Sequence, residues 1–297
     1  MIIVNNILDL RSTISAWKRQ GLSVALVPTM GNLHAGHLKL VNSAKQKADK
    51  VVASIFVNPT QFGVNEDFAS YPRTEQQDQL KLLTENTDVL FLPAITDMYS
   101  ANALTTVNVS GLSDIYCGAS RPGHFSGVAT IVCKLFNLVQ PDVAVFGLKD
   151  FQQFTVIQTM VRDFNFPIEL IGVDTQRESN GLAMSSRNNY LTDPERLLAP
   201  QLYQALCIAR AAILAGQQSY LDIEQQALQS LKNIGFAPDY FAICCSHDLS
   251  PATQQDKDIV ILAAAKLGTT RLIDNIYFSL EPETLMPLND PFISREI

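Results

Sequence analysis

Five runs of the chain, 24–29, 51–57 (VVASIFV), 88–92 (DVLFL), 142–146 (DVAVF) and 168–173 (IELIGV), are apolar almost without interruption. A strand wetted on one face alternates apolar and polar residues; a run with no alternation suits a strand covered on both faces. Most of these runs are separated by patterns of helical period, at 36–48, 75–86, 125–139 and 150–163. That alternation predicts an α/β fold, a Rossmann-like parallel sheet whose ligands bind at the carboxyl ends of its strands. Ahead of the first run, Asp9 is placed to cap a helix carrying Leu10, Ile14 and Trp17 and stopped by Gly21. After Arg187 two long helical patterns, 193–215 and 220–234, precede strands near 239–245, 258–265 and 270–278. These predict a smaller C-terminal α+β domain, with a boundary near 175–190: residues 1–180 form the Rossmann-like domain and 181–297 the second. The tail, spaced by Pro282, Pro287 and Pro291, reads as irregular.

Charge narrows the partners. A net charge of −7 argues against a general nucleic-acid binder, which needs clustered Lys and Arg. It leaves room for a phosphorylated small substrate, which needs only a few local cations and backbone donors. No apolar run reads as long enough to span a bilayer, and the start, MIIVNNILDLRST, lacks the pattern of a signal peptide. Five cysteines, an odd count without CxxC spacing, point to reduced thiols in a cytoplasm.

Neither GxxxxGK[ST] nor GxGxxG occurs, so the two common phosphate cradles are missing. The stretch VPTMGNLHAGH, 27–37, can serve instead, where a strand hands over to a helix with Leu38, Val41, Ala44 and Ala48 on one face. Gly31 and Gly36 allow close backbone approach, the helix start offers unpaired N–H groups, and His34 and His37 add side-chain donors. Imidazole can donate to a phosphate that gains charge during reaction. HxxH spacing also occurs at zinc sites, but no nearby Cys or carboxylate completes one here, so no metal ligands are assigned.

Four further stretches carry polar groups at strand ends or turns. In FVNPTQFG, Gln61 supplies a neutral amide that can donate to a carboxylate and accept from a hydroxyl, which suits a small hydroxy acid. In RPGHFSGVAT, Arg121 and His124 flank Gly123 just before a helix, and Lys134 lies further along it. In FGLKDFQQ, Gly147 ends a strand, Lys149 brings a cation, Asp150 caps the next helix and Gln153 lies one turn on. In GLAMSSRN, Ser185, Ser186 and Arg187 form a Gly-led turn suited to a mobile phosphate clamp. Each of these stretches, taken alone, also fits ordinary turn and capping chemistry. No nucleophile elbow or Ser–His–Asp order is present, which argues against a hydrolase.

Together these stretches resemble the pantothenate synthetase (pantoate–β-alanine ligase) family. The matching pieces are PTMGNLHAGH (28–37), FVNPTQFG (56–63), EDFASYPR (66–73), RPGHFSGVAT (121–130), FGLKDFQQ (146–153), GLAMSSRN (181–188) and RLIDN (271–275). That family belongs to the HxGH-type nucleotidyltransferases, which share their core with class I aminoacyl-tRNA synthetases. The resemblance implies ATP-driven ligation of pantoate and β-alanine through a pantoyl adenylate, with Mg²⁺ accompanying the triphosphate, in a cytoplasmic homodimer. It implies an ATP site lined by Met30, Gly31, Asn32, Leu33, His34, Ala35, Gly36 and His37, with His37 as proton donor and His34 as its partner. Gly147, Leu148, Lys149 and Asp150 would hold the nucleotide, with Lys149 on the phosphates. Gln61 would bind pantoate and border β-alanine, and Gln153 would hold pantoate from the other side. Met184, Ser185, Ser186 and Arg187 would play the part of the synthetases' KMSKS loop, in a smaller domain that closes over the nucleotide. Two positions depart from the family pattern: Leu148 stands where its FGEKD has Glu, and Gln176 where a small or apolar residue near the adenine is frequent. A contact from Gln176 would then come from its backbone. The runner-up is a nucleotidyltransferase acting on a phosphate acceptor, which would need HAGH but neither glutamine.

Overall fold

The computed structural model describes residues 1–64, 66–216, 219–281 and the backbone of 293–294; the proline-spaced tail lies outside them. The chain divides into two compact units. One holds Met1–Leu148 and Val156–Asp174; the other holds Lys149–Thr155 and the chain from Thr175 onward through the last antiparallel strand.

The first unit runs β1 (Ile2–Val4), α1 (Ile7–Arg19), β2 (Val24–Thr29), α2 (Ala35–Lys47), β3 (Lys50–Ile55), α3 (Glu75–Thr84) and β4 (Val89–Phe91). The short α4 (Ile95–Met98) and α5 (Cys117–Ser120) follow, then α6 (His124–Val139), β5 (Val143–Gly147), α7 (Phe151–Asp163, whose first turn belongs to the other unit) and β6 (Glu169–Val173). All strand pairs are parallel, in the order β1-β4-β3-β2-β5-β6, with a two-residue strand, Ile293–Ser294, beside β6. The apolar runs are buried as their lack of alternation requires: Val24, Ala25, Leu26 and Val27 are each fully enclosed. Against one face of the sheet, Leu40, Val41 and Ala44 of α2 pack with Val27, Ala53, Leu90 and Val145. Leu40 takes the buried place expected of Leu38, which is only half-buried.

Helix α1 is capped by Asn6, not by Asp9: the Asn6 side chain accepts from the Asp9 N–H at 2.9 Å, and Asp9 sits in the first turn. Gly21 does stop it. At φ +75°, it donates to the Lys18 carbonyl while Leu22 donates to that of Trp17. Strand β1 escapes a periodicity argument because three residues are too few to show one.

The second unit continues with α8 (Asp193–Leu198), α9 (Gln201–Leu214), α10 (Tyr220–Asn233), β7 (Ala237–Cys245), β8 (Asp258–Leu267) and β9 (Thr270–Ser279). The three strands form an antiparallel sheet in sequence order. The helix expected over 193–215 is broken at Ala199–Pro200, since proline lacks the N–H that would continue the ladder. Taken as one stretch, Asp193–Leu214 is long and apolar enough to cross a membrane, contrary to the sequence reading. In the fold it is a broken helix whose Leu202, Leu206, Ala209 and Ile213 join the core with Ile259, Ile261 and Phe278.

Candidate active site

In the first sheet β2 has β3 on one side and β5 on the other, and the strand order reverses between β2 and β5. An open α/β sheet parts its loops at such a reversal and leaves a crevice at the strands' carboxyl ends. The segment after β2 is Met30 to His34, and β5 ends at Gly147. Two of the stretches singled out from sequence therefore flank the switch point.

The turn out of β2 is tightly specified. Gly31 has φ +81°, and a Cβ there would lie 3.0 Å from Ile55 Cγ2 and 3.2 Å from Asp78 Oδ2. Asp78 of α3, fully buried, accepts from the backbone N–H of Asn32 and of Leu33, both at 2.8 Å, and from the Thr74 hydroxyl at 3.1 Å. Two amides are thus tied to a carboxylate on another element. His34 then caps α2. Its Nδ1 accepts from the Gly36 N–H at 3.2 Å, and His37 Nδ1 accepts from the His34 N–H at 3.2 Å. The ring centroids lie 4.1 Å apart. A neutral imidazole whose Nδ1 accepts carries its proton on Nε2. Both rings are accordingly Nε2–H donors at a helix N-terminus.

Gln61 is buried and held at both ends. Its Oε1 accepts from Asn58 Nδ2 at 3.0 Å, and its Nε2 donates to Met30 Sδ at 3.3 Å. Asn58 also donates to the Gly127 carbonyl at 3.1 Å and accepts from the Tyr99 hydroxyl at 2.9 Å. The amide orientation of Gln61 is thus set, and its Nε2 faces sulfur, a weak acceptor that a substrate oxygen can replace. Arg121 and His124 brace the same turn from the start of α6. His124 Nδ1 donates to the Gln61 carbonyl at 2.8 Å, and Arg121 reaches that carbonyl at 3.3 Å and Glu66 at 2.6 and 2.5 Å. Burial pushes the Glu66 carboxyl up, but its hydrogen bond to Arg121 and the guanidinium charge outweigh this and hold it below its ordinary 4.5.

Leu148 follows β5 and packs over Gly172 of β6, where a Cβ would come within 2.6 Å of Leu148 Cδ2. At the position where Glu was expected, then, the side chain fills space against the neighbouring strand.

The second unit carries the remaining stretches. Lys149 is largely buried, with Nζ 3.8 Å from Asp150 Oδ1; Asp150 directly precedes α7, whose first turn holds Gln153. The carbonyl of Gln176 accepts from the Met184 N–H at 2.9 Å, so the backbone of Gln176 is joined to the Ser-Ser-Arg turn. Ser185 caps a short 3₁₀ turn, Ser186–Tyr190, its hydroxyl accepting from the Arg187 N–H at 3.3 Å; Ser186 is buried. Beneath this turn, Arg177 and Asp274 form a two-pronged ion pair at 2.6 and 2.9 Å. Burial pushes the Asp274 carboxyl up, and the Arg177 guanidinium opposes that rise.

Within the first unit the structure brings Met30 and Gln61 into contact and sets the His34 ring, tilted, beside that of His37; within the second it joins Gln176 to Met184. Asp78, Asn58, Arg177 and Asp274 were not singled out from sequence. Asp78 had a readable signal: it lies four residues before the buried Leu82, a charge on the apolar face of its helix. No group of three or more His, Cys, Asp and Glu residues able to hold a metal ion occurs among the described residues.

A family model described as Pantoate-beta-alanine ligase matches residues 2–277 of the chain. Pantothenate synthetase from Colwellia psychrerythraea is 53% identical over 287 residues, which is 94% of this chain and 100% of that protein. The crystal structure of pantothenate synthetase from Thermus thermophilus shares 42% identity at a TM-score of 0.88, covering 95% of this chain and 100% of its own. A pantoate-beta-alanine ligase from Francisella tularensis, complexed with Beta-gamma ATP and Beta-alanine, shares 34% identity at a TM-score of 0.79, covering 95% and 98%. Motifs in order along the chain, a switch-point turn bearing two histidines and a match over almost the full length agree: the chain belongs to the pantoate–β-alanine ligase family.

Proposed function

We infer that this protein joins (R)-pantoate to β-alanine at the expense of ATP, giving pantothenate, AMP and pyrophosphate. In the first step a pantoate carboxylate oxygen bonds to the α-phosphorus and the bond to pyrophosphate breaks. In the second, the β-alanine amine attacks the acyl carbon of the pantoyl adenylate, AMP leaves and the amine gives up a proton. The observation that carries this reading is the HxGH turn at the sheet's switch point, with two imidazoles presenting Nε2–H donors above a helix start.

The roles follow the family motif. Met30 to His37 line the ATP site, with His37 as proton donor and His34 as its partner; Gly147 to Asp150 hold the nucleotide and Lys149 meets its phosphates. Gln61 binds pantoate and borders β-alanine, and Gln153 binds pantoate; the fixed orientation of the Gln61 amide supports its part. Gln176 contributes through its backbone, and Met184 to Arg187 act as the clamp. Residues 1–180 thus carry the sheet-end groups and residues 181–297 the clamp. Mg²⁺ arrives with the triphosphate. Magnesium sites of this type rely on phosphate oxygens and water, a mode that needs no protein cluster of three ligands. We place the protein in a reducing cytoplasm, where its five cysteines stay as thiols, and propose a homodimer as its assembly.

The test is pyrophosphate–ATP exchange. It should require pantoate and proceed without β-alanine. Exchange seen only when β-alanine is also present would overturn the two-step scheme.

A further inference from the structure

The RLIDN stretch matches the family yet supplies none of the residues assigned to ATP, pantoate or β-alanine. In the fold its last two residues join two phosphate-directed segments of the second unit. Asn275 Nδ2 donates to the Lys149 carbonyl at 2.8 Å, and the Asn275 N–H donates to Asp274 Oδ1 at 2.8 Å. Asp274, only 4% exposed, grips the Arg177 guanidinium with both oxygens. Arg177 in turn donates to the Gly181 carbonyl at 3.1 Å, and its Cζ lies over the Tyr203 ring, 3.5 Å from the centroid. Residues 177 and 183 form a backbone bridge, and the Met184 N–H returns to the Gln176 carbonyl, so this guanidinium anchors the hairpin from which the Ser-Ser-Arg turn emerges.

A buried ion pair of this kind adds little net stability over apolar packing, so stability alone does not account for it. It does hold its partners in one geometry, because Arg177 also donates to the Gly181 and Asn275 carbonyls and Asp274 also accepts from the Asn275 N–H. We propose that Arg177, Asp274 and Asn275 are positioning residues for adenylate formation, setting where Lys149 stands relative to the Met184–Arg187 turn. This rests on the reading that Lys149 serves the phosphates. Asn275 acts through Lys149 and touches no substrate.

A double-mutant cycle separates the two ideas. Asn275→Leu removes the amide at nearly constant volume and leaves the Arg177–Asp274 pair in place. Its kcat for pantoate-dependent pyrophosphate exchange should fall about tenfold, with KM for pantoate within about twofold, as expected for one lost hydrogen bond that aligns a group acting on the transition state. In a Lys149→Ala background the same substitution should cost almost nothing further. Equal loss in both backgrounds, or no loss in the first, overturns the positioning role. If Lys149→Ala alone exchanges at the wild-type rate, the phosphate reading of Lys149 fails, and the positioning proposal fails with it. Thermal unfolding accompanies each variant. If Asn275→Leu does not fold, Arg177→Lys replaces it in the same cycle, since it keeps the charge but loses the two-pronged grip on Asp274.

Discussion

His37 Nδ1 accepts the backbone N–H of His34 at 3.2 Å, so one half of the α2 cap and the tautomer of His37 are set by the same hydrogen bond. The ring proton is left on Nε2, as donation to an anion requires. An attack at the α-phosphorus builds charge on its oxygens, and donors that tighten as that charge appears raise turnover more than they lower Kd. His37→Ala should therefore lose roughly 10²–10³-fold in adenylate formation. ATP binding should stay within about tenfold of wild type, and reaction of pre-made pantoyl adenylate with β-alanine should suffer less. Rapid-quench measurement of both half-reactions in the one variant checks this; equal losses would reassign His37 to general site support.

Gln61 and Gln153 should recognise the hydroxy acid and leave ATP nearly untouched. Loss of an amide partner from a buried polar ligand weakens binding by roughly ten- to a hundredfold. Gln153→Ala should show this for pantoate in a titration, while its ATP affinity stays near wild type. A parallel fall in both affinities would contradict the assignment.

Asp78→Ala should destabilise the first unit by roughly 3 kcal/mol, because the Asn32 and Leu33 amides lose their shared acceptor. Asp78→Asn should cost less, keeping one acceptor oxygen. Urea unfolding followed at the single tryptophan, Trp17, gives the stability, and ATP titration reports on the loosened turn. Unchanged ATP affinity in a folded Asp78→Ala protein would show that the turn does not need this anchor.

The Glu66 carboxyl lies below its ordinary 4.5, so its pairing with Arg121 stabilises the fold above that pH and loses effect as pH falls through the lower folded value. Both side chains are partly exposed, and screening limits the gain to about 1 kcal/mol or less. Wild type should be more stable than Glu66→Gln at pH 7, with the gap closing towards pH 3. Curves that stay parallel across that range would mean the pair is uncoupled from folding.

Local pattern carried much of this protein. Buried strands announce themselves by unbroken apolar runs, Gly21 ends α1 because only a left-handed residue fits there, and the histidine turn reads as an anion site from its glycines and the helix that follows. Those features depend on residues within a few positions of one another, where periodicity and capping chemistry operate. Tertiary structure decided the rest. Only strand order puts the reversal between β2 and β5, beside the histidine turn. Only packing brings Asp78 to Asn32, 46 residues away, or Arg177 to Asp274, 97 away. A carboxylate's acceptor capacity is the same in every context, and which amide or guanidinium fills it depends on which distant segments the buried core forces together.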